Sequence, residues 1–316
     1  MDDILTVAAL SILVVSFGVG IVVGLTGMGG GALMTPALIF LGVNPTAAVA
    51  NDLVAAAVNK SVGATVHARK GAPNLRLAGW LILGSVPTAF AGAFIIESVG
   101  AGDEQEEFLK FAIGCALLFT AATYTLRIYL TLRANVSGRP RAESEPVVRP
   151  IPTLVVGAIG GLLVGITSVG SGSLIMVALL LLYPTLSAIR LVGTDLVQAV
   201  PLVLSAAISH VIVSGVDWSV LIPLILGGTP GTFVGAKVAH LVPQGVLRRG
   251  IVIVLTLTAL TLLSVPATVV GATGAALLIL GPVAWGLIRK AHGLPAFDTV
   301  DDDDLLVPDP PPRDDH

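Results

Sequence analysis

Long runs of apolar residues alternate with short polar stretches along the whole chain. Most runs are long enough to cross a bilayer as helices, because about 20 residues at a rise of 1.5 Å span its hydrocarbon core. The long runs occupy residues 5–25, 46–66, 75–99, 108–132, 151–166, 186–213, 220–241, 251–265 and 271–288. Two others, residues 32–43 and 174–183, are too short to cross comfortably and predict half-helices. The pattern predicts an all-α polytopic membrane protein.

Composition supports this class. The chain has 316 residues, of which 54% are hydrophobic and 12% charged, and its mean hydropathy is +0.94. A soluble protein of this size could not keep so much apolar surface from water. The single cysteine, Cys115, excludes an intrachain disulfide.

A glycine-rich break precedes each short run. The first lies within residues 24–36, GLTGMGGGALMTP, and the second is residues 167–173, TSVGSGS. Non-helical backbone at membrane depth requires a cavity or protein contacts that bind its polar groups. The helix that follows points the free N–H groups of its N-terminus into that cavity. We therefore predict an anion site formed by Gly29, Gly30, Gly31, Gly170, Ser171, Gly172 and Ser173. The alternative is close helix packing, which we favour for the pairs Gly20/Gly24, Gly157/Gly161 and Gly231/Gly235.

The two halves of the chain repeat each other. Residues 24–33 match residues 165–174 at an offset of 141, and Asn51-Asp52-Leu53-Val54 matches Thr194-Asp195-Leu196-Val197 at an offset of 143. At the second offset His67 matches His210, and the segment 84–93 matches 227–236. Paired Asp, His and Pro residues at one offset indicate an internal duplication.

Basic loops predict how the halves are oriented. Arg69, Lys70 and Arg76 mark one cytoplasmic loop, whereas the equivalent loop of the second half has no basic residue. The phase is thus opposite in the two halves, which predicts inverted-topology repeats with the N-terminus outside and the C-terminus cytoplasmic. We predict a first repeat at 1–133, a cytoplasmic linker at 134–150, a second repeat plus the last span at 151–290, and a disordered acidic tail at 291–316.

Acidic residues occur at equivalent places in the two halves. Asp52 and Asp195 interrupt apolar runs, and a charge in the hydrocarbon region is costly unless it has a partner or a cavity. We predict that they bind a coupling ion or a proton; the alternative is helix N-capping. Their neighbours Asn51 and Thr194 are expected to donate hydrogen bonds to the same site. Lys60 could pair with Asp52 or attract an anion.

The histidines are ambiguous. His67 and His210 lie at the far ends of their runs, where an interfacial position is the favoured interpretation and a proton relay the alternative.

The order of these motifs resembles a known family. The first half contains, in order, GMGGGALMTP, an Asn-Asp pair, HARKG and GSVPTAFAGA. The second half has a Thr-Asp pair, followed by VDW and GGTPGTFVGA. This order resembles the sulfite exporter TauE/SafE family over residues 5–290. The resemblance implies a membrane protein with two repeats that moves sulfur-containing anions. An acid in each pair departs from the Thr-Ser more usual in the family, and it implies coupling to H⁺ or Na⁺.

We therefore expect a secondary transporter that exports sulfite, thiosulfate or an organosulfonate across a prokaryotic plasma membrane. It is expected to work by alternating access. An uptake permease or anion channel is one alternative, and a membrane enzyme using the paired Asp residues is another. An enzyme is not expected, since a motif such as H-E-x-x-H is absent. No cofactor, metal or nucleic acid is expected; the expected partners are the lipid bilayer and the anion with its coupling ion.

Overall fold

The computed structural model describes residues 7–26, 30–67, 73–136, 147–170, 172–183, 186, 188–242 and 244–291. These residues form eleven α-helices and no β-strand. The helices are α1 (Val7–Thr26), α2 (Gly31–Phe40), α3 (Pro45–His67), α4 (Leu75–Ser98), α5 (Asp103–Val136), α6 (Pro150–Thr167), α7 (Ser173–Leu182), α8 (Ala188–Val213), α9 (Trp218–Val238), α10 (Gln244–Leu262) and α11 (Ala267–Ala291).

Seven of these helices could cross a membrane by length and composition, namely α1, α4, α5, α6, α8, α9 and α11. Helix α3 is not among the seven, and it carries the polar residues that interrupt its apolar run. Large apolar side chains cover much of the outer surface: Phe111 is 62% exposed and Leu83 58% exposed. Such a surface suits contact with lipid rather than water. The prediction of an all-α polytopic membrane protein is confirmed.

The two short helices are also confirmed. Helices α2 and α7 have ten residues each, and each begins directly after a glycine-rich break, at Gly31 and at Ser173. A helix of ten residues is about 15 Å long and covers half of the hydrocarbon core. Both breaks therefore lie at the inner ends of short helices.

Two extensive seams join the halves of the chain: α1 packs along α9, and α4 packs along α6. Their glycines allow backbone to touch backbone. A Cβ atom built on Gly24 would lie 2.2 Å from the carbonyl oxygen of Thr232, and one built on Gly165 would lie 2.4 Å from that of Ala89. No side chain fits at either place, so close packing of small residues holds both seams.

These contacts exchange when the repeat offsets are applied, since Gly24 corresponds to Gly165 and Ala89 to Thr232. The exchange is what a two-fold relation between the halves requires. It also supports the packing interpretation of the spaced glycines, which all lie in the seams. The inverted orientation of the halves and the division into the four segments given above stay predictions. Residues 137–146 and 292–316 lie outside the described part.

Helices α3 and α8 pack against each other at the centre, and α5 packs against α10. Buried side chains of both central helices, among them Leu53 and Leu202, belong to the main apolar core. The next helix along the chain has a polar N-cap in each half. The side chain of Asn74 accepts from the N–H of Leu77 at the start of α4, and that of Asp217 accepts from the N–H of Ser219 at the start of α9.

Candidate functional site

The two glycine-rich breaks meet inside the protein. Gly31 is the first residue of α2, and a Cβ atom there would lie 1.8 Å from the carbonyl oxygen of Ser168. Ser168 caps the C-terminus of α6 with a left-handed backbone, φ 59°. Backbone contact between the breaks therefore requires glycine at position 31. The sequence did not predict this backbone contact between the two breaks.

Not every predicted site residue of the breaks can be located. Gly30, Gly170 and Gly172 lie beside the short helices, with Gly170 at a positive φ of 104°. Gly29 and Ser171 lie outside the described residues, as does the side chain of Ser173.

Asp52 joins the two breaks. Its carboxylate is buried, at 3% exposure, and its Oδ2 atom accepts hydrogen bonds from Thr35 Oγ1 at 2.6 Å and Ser168 Oγ at 2.7 Å. Thr35 lies on α2 and Ser168 in the second break. Short hydrogen bonds from hydroxyls to a carboxylate are strong ones. One side chain of α3 thus connects the half-helix of one repeat to the break of the other.

The N-capping interpretation of the two acids is wrong. Helix α3 begins at Pro45 and α8 at Ala188, so both Asp52 and Asp195 lie inside their helices. An N-cap residue must precede the first helical residue and bind the N–H groups there. Both carboxylates instead contact other side chains. The apolar runs do not show where each helix begins, so the sequence could not distinguish an N-cap position from a position inside the helix.

Asp195 has a different set of partners. Its Oδ1 atom accepts a hydrogen bond from Gln198 Nε2 at 3.1 Å, one turn further along α8. The Oε1 atom of Gln198 in turn accepts a long hydrogen bond from Ser85 Oγ on α4, at 3.5 Å. Two cationic side chains, Lys60 on α3 and Arg127 on α5, also attract the Asp195 carboxylate electrostatically.

Lys60 lies within the electrostatic reach of both acids. The sequence predicted a pairing with Asp52 or an anion; the structure adds Asp195, on which Lys60 is the largest charged influence. Lys60 therefore acts on both acids, and Arg127 acts on Asp195. Charges of both signs allow a site that exchanges ions while its own net charge stays small.

Asn51 and Thr194 form their hydrogen bonds with groups other than the two carboxylates, and their donation to a bound anion stays a prediction. Asn51 Nδ2 donates to the carbonyl oxygen of Ala47 on its own helix at 2.8 Å. Thr194 Oγ1 donates to the carbonyl oxygen of Arg190 at 2.7 Å and accepts from the N–H of Asn74 at 3.0 Å. Both side chains are completely buried. They lie next to the acids in sequence but point to other neighbours.

A cavity opens beside Asn51. It measures about 600 Å³ and lies between the start of α3 and the connection from α8 to α9. We call it the vestibule, and its lining consists of Asn44, Thr46, Ala47, Asn51, Ser214, Gly215, Val216, Asp217, Trp218 and Ser219. Asn51 is the lining residue furthest along α3. Its Oδ1 atom is buried and has no hydrogen-bond partner among the described residues.

His210 is buried between helices. It is 1% exposed, and its Nε2 atom forms a 2.7 Å hydrogen bond with the carbonyl oxygen of Gly165 at the end of α6. Its position at the depth of the membrane interface stays a prediction. Its Nδ1 atom is buried without a partner in the described part of the chain. The side chain of His67 lies outside the described residues.

Several contributors to the centre were missed. Arg127 interrupts an apolar run as Lys60 does, so the same criterion could have found it. Thr35, Gln198 and Ser85 carry no local signal, because hydroxyl and amide side chains are common in apolar helices. Among the described residues no group of three His, Cys, Asp or Glu side chains could hold a metal ion.

Comparisons with known proteins agree on one family. A family model described as sulfite exporter TauE/SafE matches residues 12–262. The probable membrane transporter protein YjnA of Bacillus subtilis is 37% identical over 239 residues, which cover 75% of this chain and 91% of that protein. YdhB of the same organism, with the same description, is 26% identical over 255 residues, which cover 80% and 99%. A probable membrane transporter protein of Xylella fastidiosa strain 9a5c is 30% identical over 242 residues, which cover 74% and 87%. No solved structure matches.

Proposed function

The chain belongs to the sulfite exporter TauE/SafE family of membrane transporters, and on that premise we propose that it exports a small sulfur-bearing anion by secondary transport. The candidate substrates are sulfite, thiosulfate and organosulfonates. The membrane is the plasma membrane of a prokaryote, with the N-terminus outside and the C-terminus in the cytoplasm. The observation that carries the proposal is the junction of the two breaks around Asp52, because it links both halves of the chain at one buried point inside the protein.

The anion site of this proposal lies at the starts of the two half-helices. The N–H groups of the first helical turn have no partners within the helix, and the helix dipole favours an anion there. The binding groups are those of Gly29, Gly30 and Gly31 before α2 and of Gly170, Ser171, Gly172 and Ser173 before α7. Lys60 supplies positive charge to Asp52 at the junction, and Lys60 and Arg127 supply it to Asp195.

Coupling is assigned to the acids. When Asp52 or Asp195 takes up H⁺ or Na⁺, one negative charge is neutralised, and the positive charges of Lys60 and Arg127 are no longer fully balanced. The site then attracts an anion, and release of the coupling ion weakens its binding. Anion and coupling ion therefore strengthen each other's binding, as linkage between two sites requires.

The enzyme alternative has little support in the geometry. Asp52 and Asp195 bind separate partners, so they do not form one acid–base pair. The string G-x-G-D occurs at residues 100–103, but Gly100 and Gly102 are exposed in the turn before α5 and Asp103 is exposed at its first position. Acid–base catalysis by a pair of carboxyl groups needs both groups within hydrogen-bond reach of the substrate, and Asp103 at this exposed position is not paired with Asp52 or Asp195.

The experiment is a flux measurement in proteoliposomes that contain the purified full-length chain. Vesicles are loaded with sulfite, thiosulfate or a short organosulfonate, and anion release is followed with and without a pH or Na⁺ gradient. We expect release of at least one anion above that from protein-free vesicles, with acceleration by one gradient. Flux without any gradient dependence would support the channel alternative, and absence of flux for all three anions would refute the assigned substrate class.

A further inference from the structure

The central helices α3 and α8 have equivalent ends that differ in this structure. The start of α3 faces the start of α9 across the vestibule, and the start of α8 faces the start of α4. Residues 44–51 and 187–194 correspond at the repeat offset of 143, as do residues 71–76 and 214–219. The two ends can therefore be compared atom by atom.

At the start of α8 the two segments are joined. The backbone N–H of Asn74 donates to Thr194 Oγ1 at 3.0 Å, and Thr194 is completely buried. A Cβ atom built on Gly193 would lie 3.6 Å from Pro73, so van der Waals contact continues beside the hydrogen bond. Asn74 is also the N-cap of α4. This end is closed by the backbone of a helix cap.

At the start of α3 the corresponding groups are apart. Asn51 corresponds to Thr194, and its Oδ1 atom is a buried acceptor without a donor. Asp217 corresponds to Asn74 and is likewise an N-cap, with its side chain on the N–H of Ser219. Its own backbone N–H has no partner in the part of the chain that the structure describes. Both residues belong to the lining of the vestibule.

We propose that the Oδ1 atom of Asn51 and the backbone N–H of Asp217 form the gate that closes the vestibule, as Thr194 and Asn74 close the other end. This inference rests on the proposed transport by alternating access. Each gate pairs one buried side-chain oxygen with the amide of a helix cap. In the state seen here the Thr194 gate is closed and the Asn51 gate is open.

The unpaired Oδ1 atom of Asn51 favours closure of the vestibule. A buried acceptor without a donor is unfavourable, so the open vestibule carries a penalty that closing would remove. Opening the other end would transfer that penalty to Thr194 Oγ1, which would lose its bond from Asn74. The two penalties offset each other, and the bound anion and its coupling ion decide which gate opens.

The test measures how fast a maleimide labels a cysteine in the vestibule. The full-length chain carries Cys115→Ala and the reporter Ala47→Cys, and it is labelled in detergent so that both ends are accessible. Thr194→Val removes the acceptor of the closed gate, so we expect the vestibule to close more often. Loss of one ordinary hydrogen bond shifts the open-to-closed ratio about fivefold, so labelling should slow by up to that factor. Adding Asn51→Leu should restore the original rate.

The donor is tested at an exposed position with a matched control. Asp217→Pro removes both the N–H and the capping carboxylate, whereas Asp217→Ala removes the carboxylate alone. The φ of Asp217 is −92°, close enough to the range of proline for the backbone to be kept. In the Thr194→Val background we expect Asp217→Pro to restore labelling and Asp217→Ala to leave it slow. This pair remains informative if Asn51→Leu fails to elute as a folded protein.

The outcomes separate the gate from the transport proposal, because labelling needs no anion. Labelling that is unchanged or faster in Thr194→Val, or that Asp217→Pro and Asp217→Ala affect equally, would overturn the gate. The expected pattern together with absent flux of all three anions would keep the gate and reject the assigned substrates. Normal anion flux together with the wrong labelling pattern would reject the gate alone.

Discussion

The surroundings of Asp52 and Asp195 differ although the two acids occupy equivalent places in the repeat. Asp52 accepts hydrogen bonds from two hydroxyls, one on α2 and one in the second break. Asp195 accepts one from an amide on its own helix and lies in the field of two cationic side chains. One acid therefore connects two segments of backbone, and the other belongs to a network of charges.

Substitutions on only one side of the duplication explain the difference. Thr35 corresponds to Met176 at the first offset, and Lys60 corresponds to Val203 at the second. The repeat thus keeps the acid and the backbone around it while its partners diverge. We infer that Asp52 mainly maintains the junction of the breaks and that Asp195 mainly responds to charge. Four experiments test this division, from the largest expected effect to the smallest.

The junction itself should be the most sensitive place. Gly31→Ala puts a Cβ atom 1.8 Å from the carbonyl oxygen of Ser168, so the breaks must separate. We expect a loss of about 3 kcal/mol of stability, at the upper end of overpacking effects. Gly30→Ala is the matched control, because its Cβ atom would lie 4.0 Å from the nearest atom, a methyl group of Val23. Scanning fluorimetry in detergent measures both, and equal melting temperatures would contradict the contact.

Removal of the Asp52 carboxylate should come next. Asp52→Ala leaves the hydroxyls of Thr35 and Ser168 buried without their common acceptor, and we expect a cost of about 2 kcal/mol. Asp52→Asn keeps a carbonyl oxygen for these donors and should cost less than half as much. Melting temperatures of the two variants provide the comparison. If Asn and Ala destabilise equally, the negative charge rather than the hydroxyl contacts maintains the junction.

The charge network should appear as a coupling between substitutions. Asp195→Asn keeps an acceptor for Gln198 but removes the charge opposite Lys60, so Lys60→Gln should be milder in that background. We expect a coupling energy of about 1 kcal/mol in the double-mutant cycle of melting measurements. The same cycle with Asp52→Asn should give a smaller coupling, because the two hydroxyl hydrogen bonds stabilise the Asp52 carboxylate more than the charge of Lys60 does. Equal couplings would mean that the two acids share one network.

Much of this architecture could be predicted from the sequence. Hydrophobic run length gave the helical class and the two half-helices, and the offsets gave equivalent glycines that indeed meet in equivalent seams. These features depend on local composition or on self-similarity, which a sequence displays directly. The pairing of Asp52 with Asp195 as equivalent positions in two central helices was predictable for the same reason.

The contacts that distinguish the acids were not predictable. Contact of Gly31 with Ser168 joins distant parts of the chain, and nothing near either residue specifies the other. The burial of His210 against Gly165 is of the same kind, since the end of an apolar run does not show which helix covers it. Asn51 and Thr194 occupy equivalent positions in the repeat but have different hydrogen-bond partners. Sequence symmetry between the halves cannot predict such a difference between them.

The smallest expected effect separates the two hydroxyls at the junction. Thr35→Val keeps the shape of a completely buried side chain but removes one of the two donors to Asp52, while Ser168 still donates. We expect a loss of about 0.5–1 kcal/mol, the net value of one hydrogen bond, seen as a small fall in melting temperature. The control is the same substitution in the Asp52→Ala background, where Thr35 has no acceptor and the loss should vanish. A loss of equal size in both backgrounds would show that Thr35 stabilises α2 by packing, and the junction would then depend on Ser168 alone.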